Sequence, residues 1–181
     1  MKVQSAYQKA IKFAAEKHIG QTIPGTEISY VVHLSNVAME IMIAAKNSED
    51  FDLEFAIQVA LLHDILEDTE TTFEQVEQKF SIEIANAVLA LTKSSDISKE
   101  EKMSDSLNRI KQQPKEVWAV KLADRITNLQ QPPNHWDSNK ILNYKIQAKQ
   151  ILDYLEGGNE YLEGRLRNKI SEYEKYCISK V

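Results

Sequence analysis

The sequence predicts an all-α domain of about seven to nine helices, on three observations. Apolar residues recur at three- and four-residue intervals along most of the chain, the period of an amphipathic helix. No stretch alternates apolar and polar residues as a half-buried strand does. Only 5 Gly and 4 Pro punctuate the 181 residues, too few turn signals for a many-stranded β protein.

Taken in order, Val3, Tyr7, Ala10, Ile11 and Ala14 stand at helical spacing, so a first helix is expected over residues 3–17. Pro24 and Gly25 make residues 21–29 a loop. A second helix is expected from Tyr30 to Ala45, with His33 four residues before Val37 and on the same, buried side. Asp50 or Asp52 can cap a third helix, expected over Leu53 to Glu67. Thr71 or Thr72 can cap a short helix from Phe73 to Phe80, and another follows from Ile82 to Leu91. The polar run from Thr92 to Ser98 reads as a loop and Lys99 to Gln112 as a charged helix. Pro114 suits the first turn of a helix reaching Leu129, and Pro132 and Pro133 end it. Two last helices, Asn139 to Leu155 and Glu160 to Cys177, flank Gly157 and Gly158. No internal repeat or low-complexity tract divides the chain, so residues 1–181 are expected to form a single domain.

Bulk composition narrows the function. Hydrophobic content of 43% and charged content of 27% are those of an ordinary globular protein. A net charge of -5 argues against a nucleic-acid binder, which needs a basic face to neutralise phosphates. It leaves room for a small phosphorylated ligand, because a metal ion and a few local cations can reverse the sign of a pocket. The single Cys177 cannot form an internal disulfide. No signal-peptide pattern opens the chain and no apolar run reaches membrane-spanning length, so a cytoplasmic protein without membrane partners is expected.

The stretch VALLHDILEDT, residues 59–69, concentrates the chemistry. On a continuous helix, His63 would share a face with Glu67, and Asp64 with Asp68. A His-Asp dipeptide alone is weak, since chance places one in about one sequence in five of this composition. Alone, His63 reads as a core histidine bonded to a carbonyl. The placement of the acids changes that balance. Asp64 extends an apolar helix with no Lys or Arg at helical spacing, and burying an unpaired carboxylate costs several kcal/mol. Asp124, in VWAVKLADRITNL, shares the apolar face of Val117, Val120 and Asn128. Lys121 and Arg125 offer it salt bridges, which is the plainer account. Yet inward acids on two separate core helices point to convergence on one cation. With His33 the set becomes two histidines and two aspartates from three helices. Such mixed nitrogen and oxygen donors suit Mn, Fe or Zn better than Ca or Mg.

This pattern resembles the HD-domain metal-dependent phosphohydrolases. Three segments narrow the resemblance: FAAEKHIGQ with SYVVHLSNVA, ALLHDILEDT with TTFEQVEQKF, and VKLADRITNL. They look like the hydrolase domain of the RelA/SpoT-type alarmone enzymes and their small stand-alone relatives, over about residues 5 to 155. The resemblance implies a manganese ion, or another divalent transition metal, on His33, His63, Asp64 and Asp124. It implies that Glu67 and Asp68 position and activate the attacking water, whose pKa a bound metal lowers. Two acids at a helix C-terminus oppose the helix dipole, and so suggest a use of that kind. Asn128 and Tyr144 match residues that line the family's nucleotide pocket, and Lys99 and Lys102 resemble a basic segment that meets phosphates.

Two departures stand out. Leu34 follows the first histidine where the family commonly has proline, which concerns only how that helix begins. The loop from Gly20 to Gly25 carries no charge, where the family has one or two basic residues that help hold the nucleotide. The implied activity is removal of the 3′-diphosphate of a guanosine alarmone as pyrophosphate. The alternatives are an HD phosphohydrolase acting on another nucleotide and a nucleotide-binding HD module without turnover.

Overall fold

A computed structural model describes residues 2–94, 96–98 and 101–178. Ten helical segments follow one another: α1 (Val3–Lys17), α2 (Val31–Lys46), α3 (Leu53–Leu62), α4 (Ile65–Asp68), α5 (Phe73–Lys79), α6 (Ile82–Leu91), α7 (Lys102–Lys111), α8 (Lys115–Asn128), α9 (Ser138–Tyr154) and α10 (Glu160–Ile178). Segment α4 is a single turn, so nine full helices stand among the described residues. The only strand-like feature among them is one antiparallel bridge, Thr22 to Ser29, across the first loop. The all-α expectation holds.

Local chemistry explains most helix ends. Asp52 accepts from the Phe55 N–H to cap α3, Ser81 caps α6 through Ile84, and Asp137 caps α9 through Lys140. Thr72 and Gln75 form a reciprocal capping box at α5. Each such cap contributes about 1 kcal/mol over alanine. Pro114 sits one place earlier than expected, as the residue before α8 rather than in its first turn. The charged helix expected from Lys99 begins at Lys102.

Helix α3 is the centre of the packing. Every residue from Ala56 to Leu62 is buried, so α3 is apolar on all sides and must be enclosed. Helices α1, α2, α6 and α8 pack around it. Helix α8 is nearly as enclosed, with Val117 and the run from Ala119 to Thr127 buried. That run includes Lys121, Asp124 and Arg125. Charged groups in such surroundings are expensive unless matched.

The expected third helix does not continue to Glu67. It stops at Leu62, and His63 and Asp64 form a turn before α4 resumes. Asp64 sits at φ -101°, ψ 1°, the bridge region that active-site residues often occupy. The face-sharing expected of His63 with Glu67 and of Asp64 with Asp68 therefore gives way to a different geometry.

One ion pair ties the last helix to the centre. Glu40 on α2 is 2% exposed, and Arg165 on α10 grips it with Nε at 3.1 Å and Nη2 at 2.9 Å. Arg165→Ala strands the buried carboxylate, so a loss of about 2–3 kcal/mol is expected, the lower side of the range because water can reach from the Arg165 end. A thermal melt should read it as a Tm lowered by roughly 4–12 °C. An unchanged melt would show Glu40 to be solvated or otherwise matched.

Candidate active site

The turn at residues 63 and 64 does what a continuous helix cannot. Neighbouring side chains on a helix point about 100° apart. Here His63 Nε2 and Asp64 Oδ2 meet at 2.8 Å. His33, from the first turn of α2, brings its Nε2 to 3.3 Å from that of His63. From α8, Asp124 Oδ1 lies 3.5 Å from His33 Nε2 and 3.7 Å from His63 Nε2. His33, His63 and Asp64 offer ligand atoms that all lie within 4.8 Å of one another. Both rings are buried, His33 at 5% exposure and His63 at 2%.

Outer contacts fix the direction in which each ring points. His63 Nδ1 is 2.8 Å from the Ala60 carbonyl, so it carries the proton and turns Nε2 inward. His33 Nδ1 lies 3.4 Å from Thr127 Oγ1, whose own proton goes to the Asp124 carbonyl at 2.9 Å. The Tyr30 hydroxyl donates to Asp64 Oδ2 and stacks between His18 and His33, with ring centres 5.1 Å from each. Asp124 divides its oxygens: Lys121 holds Oδ2 at 3.0 Å, while Oδ1 faces the histidines and accepts from Asn128. Two inward imidazole nitrogens and two carboxylate oxygens, each oriented from behind, are a donor set that fits a divalent transition metal.

The charges agree with a site built for a cation. Burial alone would lower the His63 imidazole, but the Asp64 and Asp124 carboxylates overcome it and raise the ring to about 10. Burial and the neighbouring His63 push His33 down. Burial opposes ionisation of Asp64, yet His63 holds its carboxyl well below the usual range; Lys121 and the histidines do the same for Asp124.

Beyond the cluster, α4 carries the acidic pair into a cavity of about 540 Å³ lined by Asp64, Glu67, Asp68, Lys93, Lys102 and Asp124 among others. Glu67 is clamped by one residue of the loop after α6. Lys93 donates its backbone N–H to Oε2 at 3.0 Å and its ammonium to Oε1 at 2.7 Å. Asp68 has Gln21 at 3.4 Å, and burial, Asp64 and Glu67 raise its proton affinity. Asn128 and Tyr144 line this cavity and the smaller adjoining recess, about 160 Å³, behind His33. Lys102 reaches the cavity wall, and Lys99 lies outside the described residues.

The model of the HD domain family matches residues 10–151. The chain belongs to the HD domain family. It is 32% identical to a guanosine-3′,5′-bis(diphosphate) 3′-pyrophosphohydrolase, MESH1, of Danio rerio, over 91% of this chain and 92% of that protein. The MESH1 of Homo sapiens is 30% identical over 88% of this chain and 90% of its own length. A solved structure described as a metazoan ortholog of SpoT that hydrolyzes ppGpp superposes with a TM-score of 0.81 at 28% identity, covering 93% of this chain and 95% of that one.

Within this HD domain the fold brings together all four donors singled out from the sequence and places the acidic pair beside them. Several residues of the site escaped sequence reasoning. Tyr30 lies three residues before His33, on the same helical side, and that spacing was a usable signal. Lys93 had none, since its partner Glu67 is 26 residues away. Tyr173 of α10, beyond the family match, lines the recess.

Proposed function

We propose that this chain is a metal-dependent guanosine 3′,5′-bis(diphosphate) 3′-pyrophosphohydrolase. One observation supports it above the rest: His33, His63 and Asp64, with Asp124 Oδ1 within 3.7 Å of both rings, open onto a nucleotide-sized cavity in which Glu67 and Asp68 stand beside them. His33, His63, Asp64 and Asp124 would hold manganese, or another divalent transition metal. Such an ion, when bound, supplies Lewis acidity and a water that ionises near neutral pH.

The remaining work falls to the side chains. Glu67, pinned at both oxygens by Lys93, orients the attacking water. Asp68, whose proton affinity burial and its acidic neighbours raise, takes the proton. Asn128 holds the Asp124 carboxylate in register from the cavity side. Lys102 and Lys93 offer positive charge to the departing pyrophosphate, and Tyr144 presents an aromatic face to the nucleoside. Water attacks the diphosphate phosphorus next to the 3′ oxygen, the bond between them breaks, the 3′ oxygen leaves as the alcohol with the proton that Asp68 took up, and pyrophosphate departs from the nucleoside.

The uncharged first loop favours a second reading, that other nucleotides are accepted. Gly25 turns at φ +82°, and a side chain there would meet Pro133 Cβ at 3.1 Å. The loop thus docks on the proline turn, and Ile23 and Pro24 join Gln130, Gln131 and Trp136 around the recess. A base seated there meets apolar and amide groups rather than cations.

A manganese-supplemented assay with guanosine 3′,5′-bis(diphosphate) and a panel of ordinary nucleotides, reading pyrophosphate and inorganic phosphate separately, tests both. Pyrophosphate from the guanosine substrate is expected. Inorganic phosphate alone would replace this reading with that of a simple nucleotide phosphatase. Metal binding without any turnover would leave a nucleotide-binding module.

No helix of the described residues is long and apolar enough to cross a membrane. The lone, unbridged Cys177 accords with a reducing compartment, and we place the activity in the cytoplasm, the whole of residues 1–181 acting as one domain.

A further inference from the structure

Arg125 follows Asp124 on α8, so its side chain leaves the helix about 100° away and reaches another part of the same cavity wall. It is only 6% exposed, and its Nε and Nη1 have no hydrogen-bond partner among the described residues. The adjacent carboxylate does not answer it, because Asp124 is engaged by Lys121 at 3.0 Å and by Asn128. The guanidinium lies instead over Tyr144, with Cζ 4.3 Å from the ring centre. Stacking positions the fork, but it leaves the N–H groups of Nε and Nη1 unmatched.

A buried charge without a partner is a liability that folded chains keep only where something else completes it. The planar fork of arginine matches phosphate oxygens in pairs, which a lysine cannot do. The four acids of the cavity lie at the catalytic cluster and on α4. Arg125 and Tyr144 supply a cationic, aromatic surface of the same space. In the adjoining recess the Tyr173 hydroxyl also lacks a partner among the described residues.

We propose that Arg125 is an anion anchor that grips a phosphate group of the substrate other than the one attacked. The inference rests on the nucleotide reading above and assigns a residue of this chain to the second phosphorylated position of that substrate. One phosphate group would sit at the His/Asp cluster, while the second pairs with the guanidinium and satisfies its open donors.

The test titrates pyrophosphate into the full-length wild-type chain and into Arg125→Met, with and without manganese, alongside substrate kinetics and a thermal melt. Arg125→Met is expected to weaken pyrophosphate binding at least about tenfold, as loss of a charge-assisted hydrogen-bonded pair does. KM for guanosine 3′,5′-bis(diphosphate) should rise by a similar factor, with kcat changed by less than about threefold. Manganese stoichiometry should hold, and Tm should fall by no more than a few degrees, since the ligand-free protein loses the stack on Tyr144 but no hydrogen bond from Nε or Nη1. Unchanged pyrophosphate affinity and KM in the folded variant would overturn the proposal, as would a lowered Tm with unchanged affinity, which marks a purely structural arginine. Should Arg125→Met fail to fold, Arg125→Lys decides: it keeps the charge and loses the fork, so a three- to tenfold weakening supports the anchor and no change removes it. Failure of the substrate reading looks different. Wild-type protein that turns over no guanosine substrate, yet loses pyrophosphate binding in Arg125→Met, keeps the anchor and discards only that substrate.

Discussion

Asp124→Ala will empty the cluster of metal and take turnover to background. Asp124 is the residue that α8 brings to the cluster, and its Oδ1 lies within 3.7 Å of both histidine Nε2 atoms. Without it, two imidazoles and one carboxylate remain for a cation that ordinarily prefers a fuller shell. Loss of a supporting outer contact alone can weaken a metal site by about 10–100-fold, so removal of a charged donor should exceed that. The substitution also leaves Lys121, 9% exposed, without its carboxylate, and a stability loss of about 3 kcal/mol should accompany it. Asp124→Asn separates the two effects, because it keeps the shape and removes the charge. Metal content by elemental analysis, set beside kcat and a melt for each variant, gives the result. Full activity in a metal-free Asp124 variant would sink the proposed mechanism.

Glu67→Gln should do the reverse, sparing the metal and losing turnover. Glu67 stands outside the four-donor cluster, held by Lys93 through backbone and side chain. Glutamine keeps its length and can still accept the Lys93 N–H. It cannot carry the negative charge that orients a water and favours its ionisation. A fall in kcat of about 10²–10⁴, the span of a positioned acid or base, is expected with unchanged manganese stoichiometry. A kcat within about threefold of wild type would assign the water to Asp68 alone.

How much of this was legible beforehand varies with the range of the interaction. Helix α6 was read with both ends correct, because its apolar run begins at Ile82 and stops at Leu91; the structure adds Ser81 as its cap. The inward placement of His33 and Asp124 followed from their spacing to Val37, Val117 and Val120, all fully buried. The break at His63 and Asp64 was not legible. No glycine or proline stands there, and every residue from Ala60 to Asp68 tolerates a helix. Tertiary contacts override propensity at that point: Tyr30 and His33 from the start of α2 and Asp124 from α8 hold the pair. The plainer account of Asp124 offered both Lys121 and Arg125 as salt-bridge partners, and spacing alone did not separate them: Lys121, one helical turn away, takes that place and Arg125 turns to Tyr144.

By itself, then, the sequence determined that the chain is helical, which faces of most helices are buried, and that His33, His63 and Asp124 belong to buried positions. Those properties are local, set by side-chain chemistry repeated at a helical period. Only the tertiary structure decided that four residues from three separate stretches meet at one point, that Lys93 clamps Glu67, and that the Arg125 guanidinium lines a cavity with two of its nitrogens unbonded. The first depends on how α2, α3 and α8 cross, the second on how α4 lies against α6, and the third on how α9 packs on α8, and each arrangement comes from packing among residues far apart in the chain.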